Sequence, residues 1–256
     1  PNEERNPLDL ILGALATCGT FIYESVAEEL DVPLDHLIVT VEGDLDPSGV
    51  AGADVDPRIQ AFRVYINMAG PSEDEAETMA EAFRANCPIY TTLSRSAPIQ
   101  IVTDLEDAEP AAEGLATASV ISQLSNQPGR AIVSARGNHF VVDSVPPLDG
   151  PNEERNPLDL MLAALGTCGT FLYEAAALEM DIDLDDIVTT LEADFNPGGL
   201  TDSDVDPRIQ AFRVHMALSG PMEAEAEMLA EEFRTRCPIY TTLSRSAPIE
   251  IEMETE

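Results

Sequence analysis

The chain contains no lysine, and its thirteen basic residues, all arginines, face 48 acidic residues. The formal net charge is −35 and the isoelectric point is about 4.1. A field of this sign repels phosphate, so the composition excludes nucleic acids and anionic membrane surfaces as partners. So much self-repulsion needs screening by ions, which indicates a halophilic, salt-adapted surface; an ordinary acidic protein is the alternative.

Long apolar runs are also lacking. The longest, around Leu8 to Leu15, falls short of a bilayer span, and no basic start leads into an apolar signal segment. We therefore expect a soluble, cytoplasmic protein with no membrane partner. At 256 residues and 44% hydrophobic content, the chain has room for one large or two small cores.

Cysteine is scarce, with four residues in the whole chain. In a reducing cytoplasm a structural disulfide framework is not expected. Each cysteine is then either buried packing or a reactive thiol, and its position decides between the two. Two cysteines without neighbouring histidines are a poor zinc set, so we expect neither a metal nor a cofactor.

The sequence repeats itself at a constant offset of 150, with about six positions in ten identical. PNEERNPLDL recurs unchanged at residues 1 and 151, DVDPRIQAFRV at 54 and 204, and CPIYTTLSRSAPI at 87 and 237. Two copies of one domain are therefore present. A recent duplication is enough to explain this identity, so the identity alone does not show that the shared residues have a function.

Each copy predicts the same elements. Asn6 suits an N-cap, Pro7 the first helical position and Asp9 a capping box, ahead of an apolar helix that runs to about residue 30. The following pattern predicts, in order, a strand at 37–43, a strand at 59–68, an acidic helix to 86, a short helix from 87–88 and a strand at 99–102.

The segment between the copies differs from both. An acidic linker at 106–113 precedes strand-like runs at 116–124 and 131–143, which the turn at 126–129 joins as a hairpin. This hairpin leads into the second PNEERNP, whereas no such segment precedes the first. We therefore divide the chain into 1–105, a copy without its hairpin, and 114–256, a complete copy. Either this chain lacks the first hairpin or something else fills its place.

Several motifs resemble those of one known family. NPLDLILGALATC has a proline and an acid ahead of a small-residue helix that bears a cysteine, and DPRIQAFRVYINMAGP, an acidic helix and CPIYTTLSRSAPIQI follow in order. GNHFVVDSVPPLDGPNEERNP looks like a hairpin that runs into the long helix. Together they resemble the OsmC/Ohr family, the OsmC-like peroxiredoxin-type proteins, over nearly the whole chain.

The resemblance implies an α+β fold in which curved antiparallel sheets wrap long central helices. It implies an intertwined dimer, here a pseudo-dimer of two repeats within one chain; a further homo-oligomer is left open. The implied activity is that of an antioxidant, stress-response peroxidase for small organic hydroperoxides, regenerated by an external dithiol such as a lipoyl group. Cys18 and Cys168 would attack the peroxide, and Cys87 and Cys237 would resolve the sulfenic acid as a disulfide.

Local chemistry disagrees with this order of attack. A peroxidatic thiolate needs a cation or a helix N-terminus nearby, and Cys18 lies three turns inside its helix, so it would depend on an arginine. Cys87 precedes Pro88 at a helix start and would be the nucleophile on this argument alone. The resemblance reverses the order, and we follow the resemblance.

The resemblance also implies an acid near the helix start, usually Glu, that orients an activating arginine on the hairpin; here the acids are Asp9 and Asp159. Asp9 and Cys18 are separated along one helix by about 900° of rotation and roughly 13 Å of rise. They therefore lie on opposite faces of the helix and cannot share a site. We therefore predict a complete site of Cys18, Cys87, Asp159 and Arg130, with Arg136 as the other candidate arginine. Cys168 and Cys237 would pair with Asp9 and lack an arginine. Helix capping and surface ion pairing are the alternative roles.

Two other functions compete with the peroxidase. A non-catalytic OsmC-like binding or structural protein would keep the cysteines as packing or as a storage disulfide. A thiol-disulfide oxidoreductase would need CxxC spacing, which the sequence lacks. The peroxide, the reductant and the activity of each site are not fixed by the sequence.

Overall fold

The computed structural model describes residues 6–102 and 110–255. Helices there span Pro7–Glu29 (α1), Pro47–Val50 (α2), Glu73–Asn86 (α3), Pro88–Leu93 (α4), Pro157–Met180 (α5), Glu223–Arg236 (α6) and Pro238–Leu243 (α7), with short 3-10 turns at Pro146–Leu148 and Pro197–Leu200. Strands span His36–Leu45 (β1), Ala61–Ala69 (β2), Ile99–Val102 (β3), Ala116–Leu124 (β4), Arg130–Ala135 (β5), Asn138–Asp143 (β6), Asp186–Asp194 (β7), Ala211–Ser219 (β8) and Ile249–Thr255 (β9).

The start of each long helix follows the predicted capping chemistry. The Asp9 N–H donates to the Asn6 side chain at 2.9 Å, and the Asn6 N–H donates to the Asp9 carboxylate at 2.9 Å. Asn156 and Asp159 form the same reciprocal pair at the start of α5. Because Pro7 has no N–H to lose, it fits the first turn. The predicted helix boundary is therefore confirmed in both copies.

Two sheets flank the long helices. One has six strands in the order β3-β2-β1-β4-β5-β6, and the other has three in the order β7-β8-β9. β3 runs parallel to β2 and β9 parallel to β8, whereas the remaining neighbours are antiparallel. The predicted α+β class, with two sheets around central helices, is confirmed, although each sheet has one parallel pair at its edge.

The run at 131–143 is two strands, which corrects the prediction of one. β5 and β6 form their own tight hairpin, with Arg136 at φ 48° and Gly137 at φ 82° in the turn. Two consecutive positive φ values make the turn that best matches the twist of an antiparallel pair. Alternating apolar residues on both sides of Arg136 and Gly137 hid this turn from the sequence pattern.

β4, β5 and β6, residues 116–143, form one antiparallel unit that we call the meander. Its first strand pairs with β1 of the first repeat, with Val120 opposite Val41. The position of the meander in the chain predicts that it belongs to the second repeat, yet in space it extends the sheet of the first. The predicted boundaries stay a prediction, because the linker at 106–113 lies partly outside the described residues.

The two repeats interlock around α1 and α5. The Ile59 N–H donates to Thr242 Oγ1 at 2.9 Å, and the equivalent Ile209 N–H donates to Thr92 Oγ1 at 2.9 Å. One buried apolar cluster includes residues from both repeats. These reciprocal contacts are those of a two-fold dimer, so the predicted intramolecular pseudo-dimer is confirmed.

By length and composition alone, α1 and α5 could each cross a membrane. The sequence pattern missed this because glycine, alanine and threonine interrupt the strongly apolar residues without adding charge. Within the protein, 78% of the apolar window of α1 and 61% of that of α5 are buried. Helices that are mostly buried inside a fold pass the same test of length and composition.

Candidate active site at two cysteine pairs

The four cysteines form two matched disulfides. Cys18 is joined to Cys87 and Cys168 to Cys237, with Cα atoms 6.2 and 6.3 Å apart. Both separations lie in the usual range for a disulfide. The structure therefore brings together the cysteines that the family resemblance pairs, while their roles in a reaction remain a prediction.

The local fold gives the two members of each pair different surroundings. Cys18 lies in the middle of α1, whereas Cys87 ends α3 and caps the start of α4. The Tyr90 N–H donates to the Cys87 sulfur at 3.2 Å, and Pro88 occupies the first position of α4. Tyr240 and Cys237 repeat this contact at 3.2 Å. When reduced, the capping sulfur would accept this N–H hydrogen bond and lie at the positive end of the helix dipole. Both interactions favour a thiolate.

A small apolar cavity of about 90 Å³ adjoins Cys18. Residues of both repeats line it: Cys18, Phe21, Pro88, Ser144, Val145, Leu148, Asn156, Pro157, Leu158, Phe195 and Leu200. None of these described lining residues is charged, and Cys18 is the one cysteine among them. The thiol that a small molecule in this cavity would meet is therefore that of Cys18.

The acid and arginine are placed differently from the expectation. Arg136, at the tip of the β5–β6 hairpin, donates its Nε to both carboxylate oxygens of buried Asp9 at 3.2 and 3.1 Å, and its Nη2 also contacts Asp9. Asp159 is exposed and accepts the Asn156 N–H at 2.8 Å. The acid–arginine pair is thus Asp9 with Arg136, and the predicted pairing of Asp159 with Arg130 is corrected.

Arg130 instead holds the meander to the segment before α5. Its guanidinium donates to Asp143 at 2.6 and 2.8 Å and to Glu153 at 3.0 Å. The strand register explains this, because Arg130 and Asp143 lie directly opposite each other in β5 and β6. Hydrogen bonds from Arg130, with those from the Glu153 and Glu154 N–H groups, hold the Asp143 pKa below its ordinary value despite burial.

The crossing of α1 and α5 shows which cysteine pair the Asp9–Arg136 pair accompanies. A Cβ on Gly13 would lie 3.6 Å from Leu160, and the cavity places Cys18 beside residues 156–158. The helices therefore run in opposite directions past each other. Residues 150 positions apart are equivalent in the two repeats, so Cys168 is expected opposite residues 6–8 at the start of α1. Asp9 follows these residues directly in the helix. The cavity adjoins Cys18, whereas the Asp9–Arg136 pair lies at the start of α1, the end that the two-fold relation places opposite Cys168.

The sequence model of the family described as OsmC-like protein matches residues 1–102 and 150–252. The chain therefore belongs to the OsmC-like family and contains its domain twice. This confirms the resemblance drawn from the motifs. No curated protein matches the chain.

Several solved structures are similar to single repeats. An OsmC-like protein from Mycoplasma pneumoniae is 15% identical, with a TM-score of 0.47 over 54% of this chain and 96% of its own. An organic hydroperoxide resistance protein OsmC from Legionella pneumophila is 17% identical, with a TM-score of 0.43 over 53% and 94%. The organic hydroperoxide resistance protein OhrB of Bacillus subtilis is 19% identical, with a TM-score of 0.40 over 54% and 97%.

Proposed function

We propose that this protein is a thiol-dependent peroxidase that reduces small organic hydroperoxides. The observation that carries the proposal is the Cys18–Cys87 pair, whose helix cysteine borders an apolar cavity while its partner is within disulfide reach. The names of the similar hydroperoxide resistance proteins agree with this activity. An apolar lining favours an alkyl hydroperoxide over hydrogen peroxide, because burying each CH₂ group contributes about 0.8 kcal/mol.

The reaction uses each cysteine once. The Cys18 thiolate attacks the outer peroxide oxygen, the O–O bond breaks, and the alkoxide leaves as an alcohol after taking a proton. Cys18 is then a sulfenic acid. The Cys87 thiolate attacks its sulfur, forms the disulfide and releases hydroxide, which takes up a proton as water. An external dithiol, which we take to be of the lipoyl type, reduces the disulfide by exchange and completes the two-electron cycle.

Cavity access and thiolate chemistry support different roles for the two cysteines. Cys87 receives the Tyr90 N–H at a helix start, which suits a resolving thiolate. Cys18 faces the first residues of α5, where the positive end of that helix dipole favours a thiolate in the cavity. Asp159 caps this helix start, so we assign it a positioning role.

The second pair, Cys168 and Cys237, differs from the first in the groups that surround it. Asp9 holds the guanidinium of Arg136 on its side, which supplies a cation for a thiolate or a peroxide oxygen. Phe171, the equivalent of the cavity residue Phe21, is 54% exposed, so this side offers less apolar enclosure. We therefore propose that Cys18 carries most of the turnover of apolar hydroperoxides, in the cytoplasm of a salt-adapted cell.

The test follows the loss of an alkyl hydroperoxide when reduced protein and a dithiol are mixed in molar salt. We expect the native protein to consume peroxide catalytically, Cys18→Ser to remove most of this activity and Cys168→Ser to retain most of it. In a separate reaction without dithiol, Cys87→Ser should leave a trappable sulfenic acid on Cys18, because the resolving thiol is absent. Absence of peroxide loss by a fully reduced native protein would overturn the peroxidase and favour a binding role.

A further inference from the structure

Three buried side-chain oxygens have no hydrogen-bond partner among the described residues: Tyr23 Oη, Ser144 Oγ and Ser246 Oγ. Of the three residues, only Ser144 lines the cavity at Cys18. Burying a hydroxyl without a partner is costly, so such a group in a native fold needs an explanation. The position of Ser144 beside the cavity points to a ligand as its hydrogen-bond partner.

The cavity has one further side chain with polar oxygen or nitrogen atoms among its described lining residues, that of Asn156. Its Oδ1 accepts the Leu158 N–H at 2.9 Å and the Asp159 N–H at 3.1 Å, because Asn156 is the N-cap of α5. Apart from Cys18, the other lining side chains are apolar. A ligand oxygen in this cavity would therefore find a side-chain hydroxyl at Ser144.

The backbone around Ser144 is held in place by its neighbours. The Ser144 N–H donates to the Gly129 carbonyl oxygen at 2.7 Å, and the Asp143 N–H donates to the Arg155 carbonyl oxygen at 3.0 Å. A Cβ on Gly150 would collide with the Ser144 backbone, so the chain there approaches as closely as glycine allows. Ser144 itself is 1% exposed. A hydroxyl on so fixed a backbone does not have to be ordered when a ligand binds.

The chemistry of the lining favours a small, neutral ligand with an oxygen at one end. None of the described lining residues is charged, so a charged ligand would lose its hydration without gaining a counter-charge. Leu148, Phe195 and Leu200 favour a hydrocarbon body. A serine hydroxyl offers one donor and two acceptor positions, so it can bind a hydroxyl or a peroxide oxygen. An alkyl hydroperoxide and its alcohol product both fit this description.

We propose that Ser144 is the oxygen-binding residue of the Cys18 cavity, and that its hydroxyl donates a hydrogen bond to the inner oxygen of an alkyl hydroperoxide. The outer oxygen is then left for the Cys18 sulfur, and the alkyl group occupies the apolar part of the cavity. The catalytic part of this statement rests on the proposed peroxidase activity. Binding of an alcohol at Ser144 does not.

The same hydrogen bond would stabilise the leaving group of the reaction. When the Cys18 thiolate attacks the outer oxygen, the two electrons of the O–O bond pass to the inner oxygen, which is an alkoxide until it takes a proton from water. A donor bonded to that oxygen interacts more strongly as its negative charge develops. The benefit is largest for a strongly basic alkoxide and small for the carboxylate that leaves from a peroxycarboxylic acid.

The first test measures the binding of cyclopentanol and of cyclopentane to the disulfide-bonded protein in molar salt, without peroxide. Binding is followed by the methyl NMR signals of Leu148 and Leu200, which line the cavity. Ser144→Ala should raise the dissociation constant of cyclopentanol at least about fivefold and change that of cyclopentane less than about twofold, because only the alcohol loses a hydrogen bond. Ser246→Ala, which removes another buried serine hydroxyl without a partner among the described residues, should leave both constants unchanged.

Three results of this test would overturn the proposal. An equal change of both constants in Ser144→Ala would show that the variant alters the shape of the cavity and not a hydrogen bond. Unchanged constants would show that the hydroxyl does not contact the ligand. Absence of saturable shifts at Leu148 and Leu200 would show that the alcohol does not bind in the cavity.

The second test compares the rates at which tert-butyl hydroperoxide and peracetic acid form the Cys18 sulfenic acid. Reduced protein with Cys87→Ser is the parent, so that the sulfenic acid accumulates, and Ser144→Ala is added to it. The added change should lower the rate at least about tenfold for tert-butyl hydroperoxide and less than about threefold for peracetic acid. An equal loss for both oxidants would contradict stabilisation of the leaving group. If the parent reacts with neither oxidant, the peroxidase proposal fails, while the cyclopentanol measurement still decides whether Ser144 binds oxygen.

Discussion

The two repeats share most of their sequence but differ in what surrounds it. Phe21 is 2% exposed and Phe171 is 54% exposed, although both follow the same Cys-Gly-Thr segment. The Asp44 side chain is 2% exposed and that of Asp194 is 54% exposed, although both bind an arginine of the next strand. The difference arises because the meander and the chain after it cover one repeat.

The same comparison shows which features of the site depend on one repeat alone and which need residues from outside that repeat. The Cα separations of the two disulfides, 6.2 and 6.3 Å, agree because each pair lies within one repeat. The cavity at Cys18 uses residues from the second repeat and the segment before it. Each repeat therefore brings its own two cysteines close enough for a disulfide. Access of a substrate to Cys18, in contrast, depends on elements outside the first repeat.

The largest difference is expected for the matched phenylalanines. Phe21→Ala should lower the free energy of unfolding by about 4 kcal/mol, because it removes a buried ring and enlarges the cavity beside Cys18. Phe171→Ala should change it by less than about 1 kcal/mol, since the ring is largely exposed. Denaturant unfolding of both variants in the same salt measures this, and similar losses would show that Phe171 is covered in solution.

A smaller difference is expected for the matched arginines. Arg63 donates to Asp44 at 2.5 and 2.8 Å in a buried pair, so Arg63→Ala should cost about 3 kcal/mol by leaving the carboxylate unpaired. Arg213 makes the same contacts with Asp194 in an exposed pair, and Arg213→Ala should cost about 0.5 kcal/mol. The chemical denaturation midpoints test this; an equal cost would contradict the difference in burial.

The smallest effect concerns acid stability. Burial alone would raise the Asp44 pKa, but hydrogen bonds from Arg63 and Thr117 outweigh it and hold the pKa below the ordinary 3.8. A lowered pKa adds stability that is present above pH 4 and is lost as pH falls through the folded value. We expect Asp44→Asn to flatten the acid limb of a stability–pH curve more than Asp194→Asn. The reverse order would contradict the assignment of the buried carboxylate.

Much of this architecture could be predicted from local sequence chemistry. The capping pairs at Asn6 and Asn156, the break at Cys87-Pro88 and the strand at 99–102 depend on neighbouring residues, so the pattern indicated them correctly. The α+β class and the pseudo-dimer came from the family resemblance. These features need no knowledge of distant contacts.

The acid–arginine pair could not be found in the same way. The sequence pattern predicts that Arg136 lies within a strand, because apolar residues alternate on both sides of it. The β5–β6 register instead places Arg136 and Gly137 in a turn. Arg130 binds Asp143 instead of Asp159, because the two residues lie opposite each other once β5 and β6 pair. The pairing of the meander with β1 is a contact between distant parts of the chain, and no local pattern encodes it.

The most direct test of the central claim asks which disulfide forms first. Fully reduced protein would receive less than one equivalent of an alkyl hydroperoxide, be quenched with an alkylating reagent and be digested for mass spectrometry. If the cavity directs the substrate, the Cys18–Cys87 disulfide should appear before Cys168–Cys237. Formation of Cys168–Cys237 first, or of both at equal rates, would contradict the account.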